Sequence, residues 1–144
     1  MIPAGILRPP FFDKNGPLSM NYGSIGAVIG HELTHGFDNL GRKYDANGRM
    51  RDWWTAESGK RFRNYSRCFV KEYGSIKDDL SGKKLDGDST LGENIADNGG
   101  LKESWFAYQA HQKIKSSQSL PNLKYTPDQL FFISFARVSF QPNL

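Results

Sequence analysis

Val28 to Asp38 reads VIGHELTHGFD, and no other stretch constrains this chain as much. His31 and His35 stand four residues apart, so in a helix their imidazoles lie one above the other on one face. Glu32 projects beside that face, where its carboxylate can take a proton from a water next to a metal, as in the H-E-x-x-H signature of metalloproteases. Just upstream, Gly23, Gly26 and Gly30 recur at helical spacing. Each glycine weakens a helix by about 1 kcal/mol relative to alanine, so such a face predicts another backbone packed very close. The plainer alternative is a helix with two solvent-facing histidines. Composition alone yields H-E-x-x-H in roughly one chain in several hundred of this length, so a zinc site needs a third ligand.

Ser89 to Gly100, STLGENIADNGG, offers it. Glu93 and Asp97 are again four apart and share a helix face. Glu93 can serve as the third protein ligand, leaving one coordination position open for water and substrate. Asp97, one turn on, can hydrogen-bond the other ring nitrogen of a liganding histidine and fix its tautomer and orientation. Thr90-x-x-Glu93 is also a capping box, in which Glu93 only closes a helix start. That alternative leaves Asp97, Asn98, Gly99 and Gly100 unexplained. The double glycine fits a close approach to the glycine face before His31. Asp38, three residues after His35, is either a further acid that orients a histidine or a solvated helix-end residue.

The rest of the pattern predicts a mainly α fold. Pro3, Pro9, Pro10 and Pro17 exclude a long helix in residues 1–18, which read as extended chain and turn with a possible short strand at AGIL, Ala4 to Leu7. Helices are expected near 19–39, 55–73, 90–115 and from Thr126 onward. Ile25, Val28, Ile29 and Leu33 give the first an apolar flank. Phe62, Tyr65, Phe69 and Tyr73 give the second a core face, and Leu101, Trp105 and Tyr108 the third. The fourth starts with Thr126 as N-cap, Pro127 at the first position and Gln129 closing a capping box, and LFFISFARV reads as buried nearly all round. DANG, Asp45 to Gly48, has the wrong spacing for a calcium loop and reads as a turn. His111, beside Gln112 and Lys113, is expected to be exposed.

A chain of 144 residues makes about one domain. Its mean hydropathy of -0.60 and its lack of any long apolar run fit neither a membrane span nor a signal peptide. The net charge of +4 gathers around Arg42, Lys43, Arg49 and Arg51 and around Lys60, Arg61, Arg63 and Arg67. No nucleic-acid motif accompanies it, so it reads as a solvated face and no nucleic-acid partner is expected. Cys68, the only cysteine, cannot form an internal disulfide. The one glycosylation triplet, Asn64-Tyr65-Ser66, falls inside a predicted helix.

With these residues in view, the chain resembles the neprilysin and endothelin-converting-enzyme family of zinc endopeptidases. VIGHELTHGFD and LGENIADNGGL carry the resemblance, and PAGILRPPFF, NYGSIGAVIGHE, DWWT and QLFFISFARV extend it over nearly the whole chain. It implies a thermolysin-like zincin core, α+β in the full family, built on the HExxH helix and the GENxxD helix. It implies one zinc ion per chain held by His31, His35 and Glu93, with Glu32 as general base. Asp97 matches the family's second active-site acid, sometimes described as a proton donor, although its spacing suits orienting His31 better. Val28 matches a position in the pocket for a hydrophobic side chain, because family members cleave small peptides on the amino side of hydrophobic residues. They are usually anchored by one amino-terminal membrane helix, with the catalytic part outside the cell. Cys68 matches a family cysteine whose partner lies further downstream.

The departures set the remaining expectations. Residues 1–138 read as a partial catalytic domain and 139–144 as a tail, with Ser139 and Phe140 where the family has Trp and Cys. The family's Asn-Ala segment, its large helical lobe, its oxyanion-stabilising His and its substrate-holding Arg have no counterparts. Losing one oxyanion donor typically costs about 10²–10³ in rate, so weak activity is expected. The alternative is a non-catalytic zinc-binding fragment or pseudoenzyme.

Overall fold

The computed structural model describes residues 1–115 and 119–139. Residues 116–118 of the expected linker and 140–144 of the expected tail lie outside the described residues. Among the described residues the chain is helical without a β-strand; two isolated antiparallel bridges join Tyr44 to Met50 and Lys77 to Lys84. The five α-helices are α1 (Leu18–Asn21), α2 (Ala27–Thr34), α3 (Ala56–Ser75), α4 (Leu91–Gln112) and α5 (Pro127–Ser139). The expected strand at Ala4 is instead a 3-10 turn, Ala4–Ile6, with no neighbouring strand to pair with.

The fold divides into two compact units, Met1–Leu33 with Asp97–Leu144, and Thr34–Ala96. In the first, α1 runs through a π-helical turn, Tyr22–Gly26, into α2. Ser24 explains part of that turn: its Oγ lies 2.6 Å from the Phe11 carbonyl oxygen and 2.7 Å from that of Met20. Ile25 N donates to the same Phe11 carbonyl, which ties the amino-terminal segment down. The core is aromatic. Tyr108 and Phe131 are fully buried and stack at 5.6 Å, and Trp105 meets Phe131 edge-on at 5.1 Å. Burying such a side chain stabilises the fold by about 1.5–3 kcal/mol. Gly23 lies against the Phe131 backbone, where a Cβ would collide with the carbonyl. Thr126 and Gln129 cap α5 reciprocally at 3.2 and 2.9 Å.

In this unit three expectations about faces need correction. α5 is not buried all round: Leu130, Phe131 and Ser134 are buried while Phe132 and Ile133 are exposed, because a 3.6-residue repeat aims only one stripe at α1 and the π turn. Ile29 and Leu33 likewise turn outward from α2. His111 is half-buried, 3.1 Å from the Tyr22 hydroxyl through Nδ1.

The second unit is led by α3. Thr55 caps it by accepting from Ser58 N at 3.1 Å. Its inner face runs through Gly59, Phe62, Ser66, Phe69 and Tyr73, so the expected Tyr65 is exposed and Ser66 takes the inward place. Asp45 Oδ1 accepts from Asn47 N and Arg49 N around Gly48, whose φ of 72° suits glycine, so DANG is a turn. Cys68 is exposed and unpaired with any cysteine.

Candidate functional site

In the first unit, α2 and α4 touch through glycine. A Cβ at Gly30 would lie 2.7 Å from the Gly100 carbonyl oxygen, and one at Gly100 would lie 2.7 Å from both Ala27 O and His31 Cα. This is the close approach that the glycine spacing predicts. It brings Asp97, one turn before Gly100 on α4, to His31 on α2: His31 Nδ1 and Asp97 Oδ1 are 2.8 Å apart. Glu32 is exposed, and its Oε2 accepts from the Met1 amino group at 3.0 Å. Beside these groups opens a cleft of about 300 Å³, walled by Val28, Ala27, Phe135 and Val138 and lined also by Ser139. His31, Glu32 and Asp97 line the same cleft, so polar groups and an apolar wall adjoin there.

In the second unit, α2 ends at Thr34 and a 3-10 turn, His35–Phe37, carries the second histidine one turn after the first. His35 Nδ1 donates to Asp38 Oδ2 at 2.7 Å. Asp38 is buried, not solvated, and its other oxygen accepts from Leu40 N at 2.7 Å and Gly41 N at 2.6 Å. Burial alone would push this carboxyl up, but the bonds from His35, Gly41 and Leu40 outweigh it and hold the carboxyl below its ordinary value. Asp38 is therefore an anion that fixes the His35 ring by Nδ1, with Nε2 turned towards Glu93.

Glu93, on the first turn of α4, places Oε2 3.5 Å from His35 Nε2. Two ligands at 2.0–2.1 Å from a tetrahedral zinc sit about 3.3–3.4 Å apart, so this spacing suits neighbouring ligands of one ion. Imidazole nitrogen with carboxylate oxygen is also a donor set that zinc accepts. Thr90, the alternative partner of Glu93, donates from Oγ1 to Asp86 O and accepts from Asn94 Nδ2 at 2.8 Å.

Sequence reasoning passed over Ala27, Phe135 and Val138 as cleft walls. The α5 pair falls at the i, i+3 spacing of one helix stripe, but which cleft that stripe faces depends on packing. Gly41 was also passed over. A Cβ there would strike the His35 carbonyl, so glycine is what lets the chain turn back and offer its N–H to Asp38.

These helices and their donors are those of a zincin-type metallopeptidase core. The chain belongs to peptidase family M13, whose family model matches residues 1–143. It is 50% identical over 143 residues to neprilysin-3 of Drosophila melanogaster and 50% identical over 140 residues to human neprilysin. Each comparison covers 96% of this chain, against 18% and 19% of those proteins. The cryo-EM structure of the Mycobacterium tuberculosis zinc metalloprotease Zmp1 in an open state superposes with a TM-score of 0.83 at 38% identity, covering 95% of this chain and 22% of that one. The chain thus spans about a fifth of the length of the relatives it matches.

Proposed function

We propose that this chain carries the metal-binding and base residues of a zinc metalloendopeptidase, with one zinc held by His31, His35 and Glu93. The observation that carries the reading is the paired clamping of the histidines, His31 by Asp97 at 2.8 Å and His35 by Asp38 at 2.7 Å, with His35 Nε2 facing Glu93 at 3.5 Å. Bound zinc supplies a Lewis acid for a peptide carbonyl and lowers the pKa of water towards about 7. Glu32 accepts the proton of the attacking water, and its exposed carboxylate beside the cleft suits that task. Asp97 positions His31 rather than donating a proton. Val28, with Ala27, Phe135 and Val138, receives the hydrophobic side chain on the amino side of which the bond is cut, in small peptides.

Family membership and the relatives' names support this reading, including a human relative named membrane metallo-endopeptidase-like 1. Among the described residues no helix is long and apolar enough to cross a membrane. The whole protein is proposed to act on peptides outside the cell, and residues 1–138 to form part of its catalytic domain.

Metal analysis of the purified chain tests the core of this. It should find about one zinc per chain, lost when His31→Ala and His35→Ala are combined. Glu32→Gln should keep the zinc and lose chelator-sensitive peptide cleavage. A folded parent chain that takes up no zinc would overturn the reading.

A further inference from the structure

The basic surplus of the second unit is not spread over a flat face. Arg42, Lys43, Arg51 and Arg63 converge with Trp54 on one cleft of about 360 Å³, against the single lining carboxylate of Asp52. Arg51 is also 3.5 Å from Asp45, which offsets one of the four cations and leaves the cleft positive. Its central group is held rigidly. The Arg42 guanidinium lies 5.5 Å from the Trp54 ring centre and 4.7 Å from that of Phe62, while Arg42 O accepts from Trp53 Nε1 at 3.0 Å. Aromatic rings fix a guanidinium without neutralising its charge. The cleft is therefore cationic, rich in donors and poor in acceptors.

We infer that this cleft binds a tetrahedral oxyanion, the sulfate or phosphate group of a small ligand. A planar guanidinium matches two oxygens of such a group at once, and converging cations in a concave wall concentrate the field that draws it in. The site needs neither the histidines nor a metal.

Titration of the full chain with inorganic sulfate and with inorganic phosphate, at ionic strength held constant by chloride, tests the inference. Backbone amide shifts of residues 42–63 should move saturably. Arg51→Gln and Arg63→Gln, both at exposed residues, should each weaken binding by about tenfold. Arg61→Gln removes a charge from the same helix whose partner, Glu57 at 2.6 Å, lies outside the cleft, and should leave affinity unchanged. Two further arms separate the sources. Tighter binding of a heparin-derived oligosaccharide than of an inositol polyphosphate assigns sulfate esters, and the reverse assigns phosphate esters. Shifts that do not saturate, or that Arg61→Gln weakens as much as Arg63→Gln, would overturn the site and leave only general charge attraction.

Discussion

Gly100→Ala adds one methyl group at the tightest point of the first unit. The new Cβ would stand 2.7 Å from Ala27 O and from His31 Cα, with the His31 amide nitrogen closer still. These are backbone atoms of a helix, so no side chain can swing away. Restoring ordinary contact at about 3.4 Å with the nearest of these atoms requires α2 and α4 to part by about 1 Å. The same movement would carry His31 Nδ1 and Asp97 Oδ1 from 2.8 Å to as much as about 3.8 Å, outside hydrogen-bond range. Overpacking of this kind costs about 1–3 kcal/mol, and alanine's helix preference returns up to about 1 kcal/mol. A net loss of about 1–2 kcal/mol lowers the melting temperature by about 2–4 °C for each kcal/mol. Zinc affinity should fall by about 10–100-fold, the usual effect of losing a histidine's orienting partner. Gly59→Ala is the control: it sits in α3, where a Cβ meets only the flexible end of Arg63 at 3.4 Å, and it should be neutral or stabilising by up to about 1 kcal/mol. Calorimetry and competition with a fluorescent chelator read the two effects. A Gly100→Ala chain that melts at or above the parent temperature and binds zinc as tightly would refute the close-packing argument.

Asp97→Asn removes the charged partner of His31 at an exposed site, and should weaken zinc binding by about 10–100-fold with the melting temperature of the metal-free chain nearly unchanged. Asp38→Asn should lower both, because the buried carboxylate also accepts from Leu40 N and Gly41 N; competition titration and calorimetry on the same samples separate the two variants. Tyr22→Phe deletes the hydroxyl bonded to His111 at 3.1 Å and should cost about 0.5–1.5 kcal/mol in denaturant unfolding. Asp78 titrates below its ordinary 3.8 because Ser81 donates to it. A depressed carboxyl orders its turn above the unfolded pKa and loses that effect as pH falls through the folded one. The Ser81 amide should therefore titrate with a midpoint below 3.8, and Ser81→Ala should move the Asp78 midpoint up towards 3.8.

The sequence made the helices legible because their signals are local. Thr126 with Gln129, and Thr55 before α3, mark helix starts that need no tertiary information. The glycine ladder announced a close backbone contact, since nothing else justifies three helix-weakening residues on one face. Which contact it was depended on a partner, and only Gly99-Gly100 on a second helix hinted at one. Faces were harder. Tyr65 fits an i, i+3 reading as well as Ser66 fits i, i+4, and only packing decides which turns inward. Asp38 was undecidable because one spacing serves a solvated helix end and a buried clamp, and the difference lies in how Gly41 folds the chain back.

The glycines and the carboxylates belong to one physical requirement. A histidine ring orients a metal-side nitrogen only if its other nitrogen is held, and an aspartate reaches only a short way from its own backbone. Asp97 holds His31 across two helices, so the helix axes must approach more closely than side chains normally allow, and Gly30 against Gly100 permits that approach. Asp38 holds His35 from the same chain three residues on, so no helix crossing is needed, and a single glycine at position 41 frees the turn. One clamp therefore uses a helix–helix contact and the other a local turn. A change in how α2 and α4 pack would loosen His31 and leave the His35 clamp intact, whereas a change in the turn after Phe37 would do the opposite.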